Sequence, residues 1–507
     1  MYRKLYFIRD NTTIMKKEVY IKLSIALIAI AAVLRFAFAL SHTVSGDACW
    51  HLASARFIAT HNKIPLFEGL GRLQPFWAPP LFHFAAALFY KIFNLISSDI
   101  AEISLKLISP IFGTLTVIIA YLIARKLFGE KTAFYSMVFL NFVPLFIDYT
   151  VFSYTDSTTA FFSILSVYLM LNGRYILSSA SLGLGILSKY NAVFVLPMLL
   201  YMAYRSSNDK KERNTRMLVA FFLPLLISSV WLLRNFILLG NPFWPYLNGI
   251  FHGADIGVSF NTLNLDSLFS FNSYLMAYLE LFGVPNGNIS LLSFYSIPLV
   301  KYLLFIWAAG TLIFMYPFVK GFFHETKSKE IEDFLKGAYI LFFSHLLMLF
   351  VYLLNTRWFG ARLLLPIMPF MGIVWARGLI SIKINKAYIF IVLVISIGFL
   401  FVEATKISIA AKEWGLYKQD FEWAKRNSKP NDVFYGNGQC LPYNINRLVV
   451  DHTAPLDFTM VDYLWVNDKW RIDFTMNEAS MDKIKNSDKL NAVYNNADTG
   501  TTIYKVR

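Results

Sequence analysis

Long apolar segments recur along most of this 507-residue chain, and they limit what it can fold into more than any other feature. Hydrophobic residues make up 56% of the sequence and charged residues only 16%, with a mean hydropathy of +0.50. A soluble protein of this size could not keep so much apolar surface from water. The sequence therefore predicts a polytopic α-helical membrane protein with about eleven transmembrane helices, each near the length that a bilayer core demands.

The expected spans share long apolar runs with few charges. They are Tyr20–Leu40, Ser104–Ala124, Thr132–Tyr149, Ser157–Leu171, Tyr175–Leu187, Ala192–Tyr204, Met217–Leu238, Pro298–Val319, Phe334–Leu354, Ala361–Ile380 and Ala387–Ala404. Arg35 lies close to the outer end of the first span, where its long side chain is expected to reach the membrane surface.

Residues 80–96 are also apolar, yet the charge pattern predicts a juxtamembrane helix there rather than another crossing. If this segment crossed, the basic stretches 125–131 and 205–216 would face outward, although Lys and Arg are enriched in cytoplasmic loops. We therefore expect a multi-pass cell-membrane protein with a cytoplasmic N-terminus and an extracytoplasmic C-terminus. The formal charge of +15 then reflects orientation in the membrane, and nucleic acid is not expected as a partner.

A change in composition near residue 406 predicts two domains. Residues 1–405 would form the membrane domain, with a first outer loop at 41–103 and a long outer loop at 240–297. Residues 406–507 would form a small extracytoplasmic α/β domain. Its expected strands are Asp432–Tyr435, Arg447–Val450, Tyr463–Val466, Leu490–Tyr494 and Thr501–Val506, and its expected helices are Phe421–Asn427 and Ser480–Lys485.

The chain has two cysteines, Cys49 and Cys440, and both fall on the outer face in this topology. Two cysteines cannot form a disulfide framework or a metal cluster. One bridge is possible, but two separate thiols are the expectation.

Ionisable residues collect at the outer membrane face. Asp47 and His51 are one helical turn apart, so both side chains can face the same way. Acidic side chains can take a proton from an acceptor hydroxyl, and basic side chains can bind a phosphate. This combination suggests chemistry on a lipid-linked substrate. The expected catalytic acids are Asp47 and Asp156, and the expected substrate-binding residues are His51, Arg72, Lys189, Arg234, Arg357 and Arg362.

Each candidate also has a structural interpretation. Asp47 and Asp156 each precede a helix and could serve as its N-cap. Arg357 and Arg362 lie beside a tryptophan and could anchor the chain at the interface. Lys189 joins two short apolar segments, where it is either a polar group facing a cavity or the end of a helix. The residues alone leave these alternatives open.

Seven short motifs follow one another between residues 20 and 380. They are Gly46-Asp47 through Ala53, Pro79-Pro80-Leu81-Phe82, Arg125-Lys126-Leu127-Phe128-Gly129, Asp156 after a turn, Gly183 through Tyr190, Arg234 through Pro242, and Arg357 through Pro369. Their order resembles the GT-C glycosyltransferases, and within them the protein O-mannosyltransferases and the aminoarabinose transferase of lipid A (family 39-like). The chain departs from that pattern at Ala48, where many relatives have Glu, and at Ala78, where the aminoarabinose enzyme has Lys.

The resemblance implies an inverting transfer of a sugar from a polyprenyl-phosphate donor to a glycan, protein or lipid acceptor on the extracytoplasmic face. Asp47 would take the acceptor proton, and Arg357, Arg362 and Lys189 would stabilise the leaving phosphate. Such a scheme requires no cofactor, although two carboxylates could hold a divalent metal. Donor lipid, acceptor and membrane lipids are the expected partners.

A transporter or flippase for a lipid-linked or anionic substrate is the main alternative, because the same arginines would bind its phosphate. Transporters usually show internal repeats between their halves, and none is found in this sequence. A structural scaffold is a third interpretation, which would leave Lys189 and the paired outer acids unexplained.

Overall fold

The computed structural model describes residues 2–66, 76–254, 315–356, 360–382, 415–438, 440–452, 455–467 and 478–507, with the single positions 398 and 412. The protein is mostly helical, with several apolar helices and a small C-terminal sheet, which confirms the predicted fold class. It is a multi-pass membrane protein.

The described helices of the membrane region have very different lengths. They are α1 (Tyr2–Ser41), α2 (Asp47–His61), α3 (Leu81–Asn94), α4 (Ser98–Ser104), α5 (Ile108–Phe128), α6 (Glu130–Phe142), α7 (Pro144–Val151) and α8 (Asp156–Leu171). They continue with α9 (Tyr175–Ser188), α10 (Leu196–Arg205), α11 (Lys210–Leu239), α12 (Asn248–Phe251), α13 (Lys329–Thr356) and α14 (Met368–Ser381). Short 3-10 turns cover Leu105–Leu107, Tyr190–Val195 and Ala361–Leu364.

Four helical segments within the described residues are long and apolar enough to cross a membrane, or five if the bent pair α6–α7 counts as one span. Three shorter apolar helices, α8, α9 and α14, accompany them. The predicted count of about eleven is therefore not confirmed. The expected span Ala387–Ala404 and most of Pro298–Val319 lie outside the described residues.

The expected span Thr132–Tyr149 is wrong as a single helix. The chain instead forms α6 and α7, which are bent by 68° relative to each other. Pro144 disfavours helical backbone in the residue before it. Val143 accordingly adopts an extended conformation, with ψ of 118°, and ends α6.

Arg35 connects α1 to both sides of this break. Its guanidinium donates hydrogen bonds to Asn141 Oδ1 on α6 (2.8 Å) and to Thr150 Oγ1 on α7 (3.1 Å). The side chain is buried, so the expectation that it reaches the membrane surface is wrong. A buried charge is stabilised by such hydrogen bonds, and here they also hold the bend.

Helix α11 shows how local chemistry sets the ends of an element. Asp209 caps it, because its carboxylate accepts from the backbone N–H of Glu212 at 2.8 Å. Gly240 follows the last residue with φ of +70°, a conformation that glycine adopts without steric cost. This places the Arg234-Asn235 motif in the last two turns of the helix.

The described part of the C-terminal region contains five strands and three helices. The strands are β1 (Val433–Gly436), β2 (Leu448–Asp451), β3 (Tyr463–Asn467), β4 (Leu490–Asn496) and β5 (Thr501–Val506). The helices are α15 (Lys418–Asn427), α16 (Leu441–Ile445) and α17 (Glu478–Lys485). All five strands and both helices expected from the sequence are present within three residues of their expected bounds.

The strands form one mixed sheet in the order β2-β1-β3-β5-β4. Strands β2, β1 and β3 are parallel, and β5 pairs antiparallel with both β3 and β4. Successive side chains of a strand point to opposite faces. Phe434 accordingly joins a core with Phe421 of α15, and Tyr435 joins a second core with Ile484 of α17.

A disulfide bond between Cys49 of α2 and Cys440 joins the C-terminal region to the first loop across 391 positions of sequence. The expectation of two separate thiols is therefore wrong. Both sulfur atoms are buried where the turn after β1 packs against α2, and Cys440 Sγ lies 3.9 Å from the Gly46 carbonyl oxygen. The structure thus places the C-terminal sheet beside the residue that precedes Asp47.

Candidate active site

Asp47 is the first residue of α2, directly after Gly46. Gly46 has φ of +59°, and a Cβ there would lie 3.2 Å from the Tyr154 hydroxyl. Glycine at this position therefore allows both the turn and the close approach of the two segments. The result is a helix start that directs the Asp47 carboxylate toward the rest of the membrane region.

Asp47 Oδ2 forms an ion pair with Arg362 Nη1 at 2.8 Å, across 315 positions of sequence. Arg362 belongs to the 3-10 turn Ala361–Leu364, and its guanidinium carbon lies 5.6 Å from the centre of the Tyr154 ring. The side chains of Asp47 and Arg362 are 34% and 21% exposed. A ligand that enters the site can therefore reach both members of the pair.

A second ion pair joins Asp156 Oδ1 to Lys189 Nζ at 2.6 Å. Asp156 is the first residue of α8 and its side chain is 2% exposed, whereas that of Lys189 is 22% exposed. Lys189 occupies the break between α9 and the 3-10 turn Tyr190–Val195, in an extended conformation. Because the helix is broken here, the Lys189 side chain can turn inward to Asp156. Such a polar break is tolerated within the membrane only where it faces a cavity or other protein groups.

The two ion pairs belong to one cluster. Asp47 and Arg362 both act electrostatically on Lys189, and Asp156 acts on Arg362. Two carboxylates and two cations give the cluster a formal charge of zero. An anionic ligand can compete with the carboxylates for these cations, which would release a carboxylate that can accept a proton.

His51 lies on the same helix as Asp47 and is buried against a second histidine. Its Nδ1 is 2.9 Å from Nε2 of His83, so one ring donates and the other accepts. Burial lowers the pKa of His83 to about 3, and burial beside His83 holds the pKa of His51 well below its usual range. Both rings are therefore neutral at pH 7, and the electrostatic influence of Asp47 and Arg362 reaches His51.

Arg234 supports the first loop of the membrane region. Its Nη1 donates to the Phe76 carbonyl oxygen (2.8 Å) and to Asn235 Oδ1 (2.8 Å), and its guanidinium stacks on Trp231. The neighbouring Trp77 carbonyl oxygen accepts from the side chains of Trp231, Asn235 and Tyr190. The Arg-Asn motif therefore holds the loop that leads into the Pro-Pro motif.

Arg72 and Arg357 lie outside the described residues. Of the remaining candidates, the structure brings Asp47, Asp156, His51, Lys189 and Arg362 together and puts Arg234 beside the supporting loop. No group of three His, Cys, Asp or Glu side chains that could hold a metal occurs among the residues that the structure describes.

Arg56 and His83 support the candidate site, and neither was expected from the sequence. Arg56 is buried on α2 and forms two hydrogen bonds to Glu102 (3.0 and 3.1 Å). It also donates to the carbonyl oxygens of Pro442 and Tyr443 at 3.1 and 2.9 Å. Arg56 could have been noticed in the sequence, because it is a charged residue among the apolar residues of a short helix. No pattern in the sequence singles out His83.

Part of the membrane region matches a known family. Residues 78–233 match the family model described as dolichyl-phosphate-mannose-protein mannosyltransferase. Two proteins of Aquifex aeolicus (strain VF5), both described as uncharacterized, are 27% identical over 182 residues and 30% identical over 158 residues. These matches cover 34% and 31% of this chain and 35% of each relative, so the chain spans about a third of the relatives that it matches.

Solved structures match over nearly the whole chain. ArnT from Cupriavidus metallidurans bound to undecaprenyl phosphate has a TM-score of 0.61 at 13% identity, with 95% of this chain and 97% of that chain covered. An oligosaccharyltransferase from Archaeoglobus fulgidus, tethered with an acceptor peptide, has a TM-score of 0.53 at 11% identity, covering 96% and 74%. Arabinofuranosyltransferase AftD from Mycobacteria has a TM-score of 0.53 at 11% identity, covering 94% and 40%.

Proposed function

We propose that this protein, which has the GT-C glycosyltransferase fold and is related to the mannosyltransferase family, transfers a sugar from a polyprenyl-phosphate donor to an acceptor on the extracytoplasmic face. The observation that carries the proposal is the Asp47–Arg362 ion pair, in which an acid and a phosphate-binding cation share one partly exposed site. The matched ArnT binds undecaprenyl phosphate, which supports a lipid-phosphate donor for this chain as well.

Asp47 is the proposed general base. An acceptor hydroxyl attacks the anomeric carbon from the side opposite the phosphate, its proton passes to Asp47, and the sugar–phosphate bond breaks. This single displacement inverts the configuration at the anomeric carbon. The attacking oxygen becomes more acidic as its new bond forms, so a carboxylate at 34% exposure is a sufficient base.

Arg362 is the proposed partner of the departing phosphate. A guanidinium binds phosphate oxygens through two parallel N–H donors, and it stabilises the negative charge that grows as the glycosidic bond breaks. When the donor phosphate takes Arg362, the arginine no longer neutralises Asp47. The released carboxylate is then free to accept a proton, so donor binding itself would activate the base.

Asp156 and Lys189 are proposed to orient the reactants. Asp156 would bind a hydroxyl of the sugar or of the acceptor, and Lys189 would add positive charge at the phosphate. Neutral His51, fixed by His83, suits a hydrogen bond to a sugar hydroxyl. Among the other candidates, Arg234 is proposed to act through the loop that it holds, and Arg72 and Arg357 remain proposed phosphate ligands.

The disulfide bond supports an extracytoplasmic site. Disulfides form and persist in oxidising compartments and are rare in the cytosol. Cys49 lies two residues after Asp47, so a stable Cys49–Cys440 bond requires both the site and the C-terminal sheet to face such a compartment. Labelling of thiols on intact cells with an impermeant reagent after mild reduction tests this placement, and labelling only after lysis would refute it.

The experiment that tests the function is a transfer assay in proteoliposomes. It combines the purified protein, a radiolabelled polyprenyl-phosphate hexose and an envelope extract as acceptor. We expect transfer of label with the wild type and a loss of roughly 100-fold or more with Asp47→Asn. Asp99→Asn, which changes an exposed acid of the same outer region, is the matched control and should keep wild-type activity.

Full activity of Asp47→Asn would refute the assigned base. Label that stays on the lipid but becomes accessible on the opposite leaflet would instead identify a flippase. In that case Arg362 and Lys189 would be binding residues of a transport pathway and no bond to the sugar would break.

A further inference from the structure

A cleft at the end of the membrane helices remote from Asp47 has no role in the proposed transfer. It has a volume of about 360 Å³ and lies between α1 and the turn that joins α5 to α6. We name it the basic cleft, and it is lined by Lys17, Tyr20, Arg125, Gly129, Glu130 and Lys131.

Helices α1 and α5 each run from the basic cleft to the candidate active site, so the two sites lie at opposite ends of these helices. Lys17 and Ser41 bound the part of α1 that is long enough to span a membrane, and 25 residues of helix cover roughly 36 Å. Asp47 follows shortly after Ser41, whereas Lys17 lies at the far end. Helix α5 likewise runs from Ser109, which is hydrogen-bonded to Tyr154, to Arg125 at the cleft.

Among the residues that the structure describes, the basic cleft has more cations than acids. Glu130 is held by Arg125 at 2.7 Å and by the Tyr121 hydroxyl at 2.8 Å, so its carboxylate is already neutralised. Lys17 and Lys131 have no ion-pair partner among the residues that the structure describes. The three cations and one acid leave a net charge of about +2, which attracts the negative charge of a phosphodiester.

We propose that the basic cleft binds the phosphate headgroup of an anionic phospholipid. Its position at the end of the apolar part of α1 supports a lipid over a free ion. Val19 and Leu23, on the neighbouring face of α1, are 53% and 46% exposed and offer apolar surface for acyl chains. Tyr20 lies between the charged and apolar parts, where an aromatic ring with a polar tip is favoured at membrane surfaces.

The rule that Lys and Arg are enriched on the cytoplasmic side accounts for the sign of this charge. It does not account for a cavity that gathers cations from two separate segments around a neutralised acid. Basic residues that recognise a lipid headgroup between helices have this arrangement. The proposal is independent of the transfer reaction and of the role of Asp47.

The test measures thermal unfolding of the purified full-length protein in detergent, titrated with short-chain phosphatidylglycerol, phosphatidylcholine or inorganic phosphate. We expect phosphatidylglycerol to raise the unfolding temperature of the wild type at lower concentration than the other two ligands. In the double variant Lys17→Gln/Lys131→Gln, the concentration for half of this effect should rise roughly tenfold. The matched control is Lys210→Gln/Lys211→Gln, which removes two exposed lysines from the start of α11.

Equal losses in both double variants would overturn the proposal, because they would indicate attraction to overall charge. Protection by inorganic phosphate at the same concentrations would replace the lipid by a free anion and overturn the assignment to a headgroup. If the double variant does not fold, Lys131→Gln alone and native mass spectrometry of lipid retained by the wild type decide the matter. Retention of phosphatidylcholine equal to phosphatidylglycerol would refute it.

Discussion

Two regions of the molecule hold aspartates in polar contacts, and the partners of these aspartates differ. In the membrane region, Asp47 and Asp156 are each paired with a cation, Arg362 or Lys189. In the C-terminal region, Asp420 is fully buried and accepts from three neutral donors. These are the Tyr494 hydroxyl, the Asn496 amide and the Thr499 hydroxyl, each at 2.6 Å.

The difference separates exchangeable from structural acids. A phosphate can replace a carboxylate as the partner of an arginine or a lysine, and the acid is then available for chemistry. Asp420 lies on α15 and its three donors lie in the β4–β5 hairpin, so these hydrogen bonds join the two elements and involve no cation that an anion could take over. A buried acid with a cationic partner at a partly exposed site is thus the better candidate for function.

After substitution of Asp47, substitution of Arg362 should lower the transfer rate most. Arg362→Gln removes the cation that would stabilise the leaving phosphate, and we expect the transfer rate to fall by roughly 100-fold or more. Arg362→Lys keeps the charge but loses the two-pronged geometry, so it should recover only part of the rate. Steady-state transfer kinetics measure both, and equal rates for Lys and Gln would show that charge plays no part.

Substitution of Lys189 tests the buried pair. Lys189→Met leaves the Asp156 carboxylate buried without its cation, which should cost roughly 3–5 kcal/mol of unfolding free energy. The double variant Asp156→Asn/Lys189→Met should recover most of the stability but not the transfer activity. Thermal unfolding and transfer are measured on the same preparations, and an active double variant would make the pair purely structural.

Asp420→Ala should lower stability without affecting the chemistry. It leaves three buried donors without their acceptor, a loss of roughly 2–4 kcal/mol in the unfolding free energy of the C-terminal region. Transfer per folded molecule should remain at the wild-type level. Hydrogen exchange of α15 and of the β4–β5 hairpin reports the loss, and unchanged protection there would contradict the structural role.

The smallest predicted effect concerns the histidine pair. His83 has a pKa of about 3 in the folded protein and near 6.5 when unfolded, so the unfolded state binds more protons between these values. Stability should therefore fall as pH decreases below 6.5, by roughly 1–2 kcal/mol at pH 5. The test compares the unfolding temperatures of the wild type and His83→Gln across this pH range. If both proteins lose stability equally as the pH falls, His83 is not the cause.

The C-terminal sheet was predictable almost strand by strand. Alternating apolar residues and the turn at residues 497–500 are local signals, and β5 spans the predicted Thr501–Val506. The membrane region was predictable as apolar helices, including the break at Lys189 between two short segments, but the break at Pro144 was not expected. A proline within an apolar run, such as Pro144, allows either a kinked span or two helices, and here Arg35 holds the bend.

The candidate site was predictable as a set of residue types on one face, but its pairings were not. In the sequence, Asp47 and Asp156 each come just before a predicted helix, where an acid can instead serve as the N-cap. Neither role could be preferred until Arg362 and Lys189 were seen to contact them. His83 follows the Pro-Pro motif within an apolar helix. Its distance from His51 along the sequence fits no pattern that would predict their contact.

The sequence by itself determined the membrane class, most helices and the strands of the sheet, because apolar runs and period-two alternation act over a few residues. Only the tertiary structure decided that Asp47 meets Arg362 across 315 positions and that Cys49 bonds Cys440 across 391. Contacts of this length depend on how the whole chain packs, so they leave no periodic trace in the sequence.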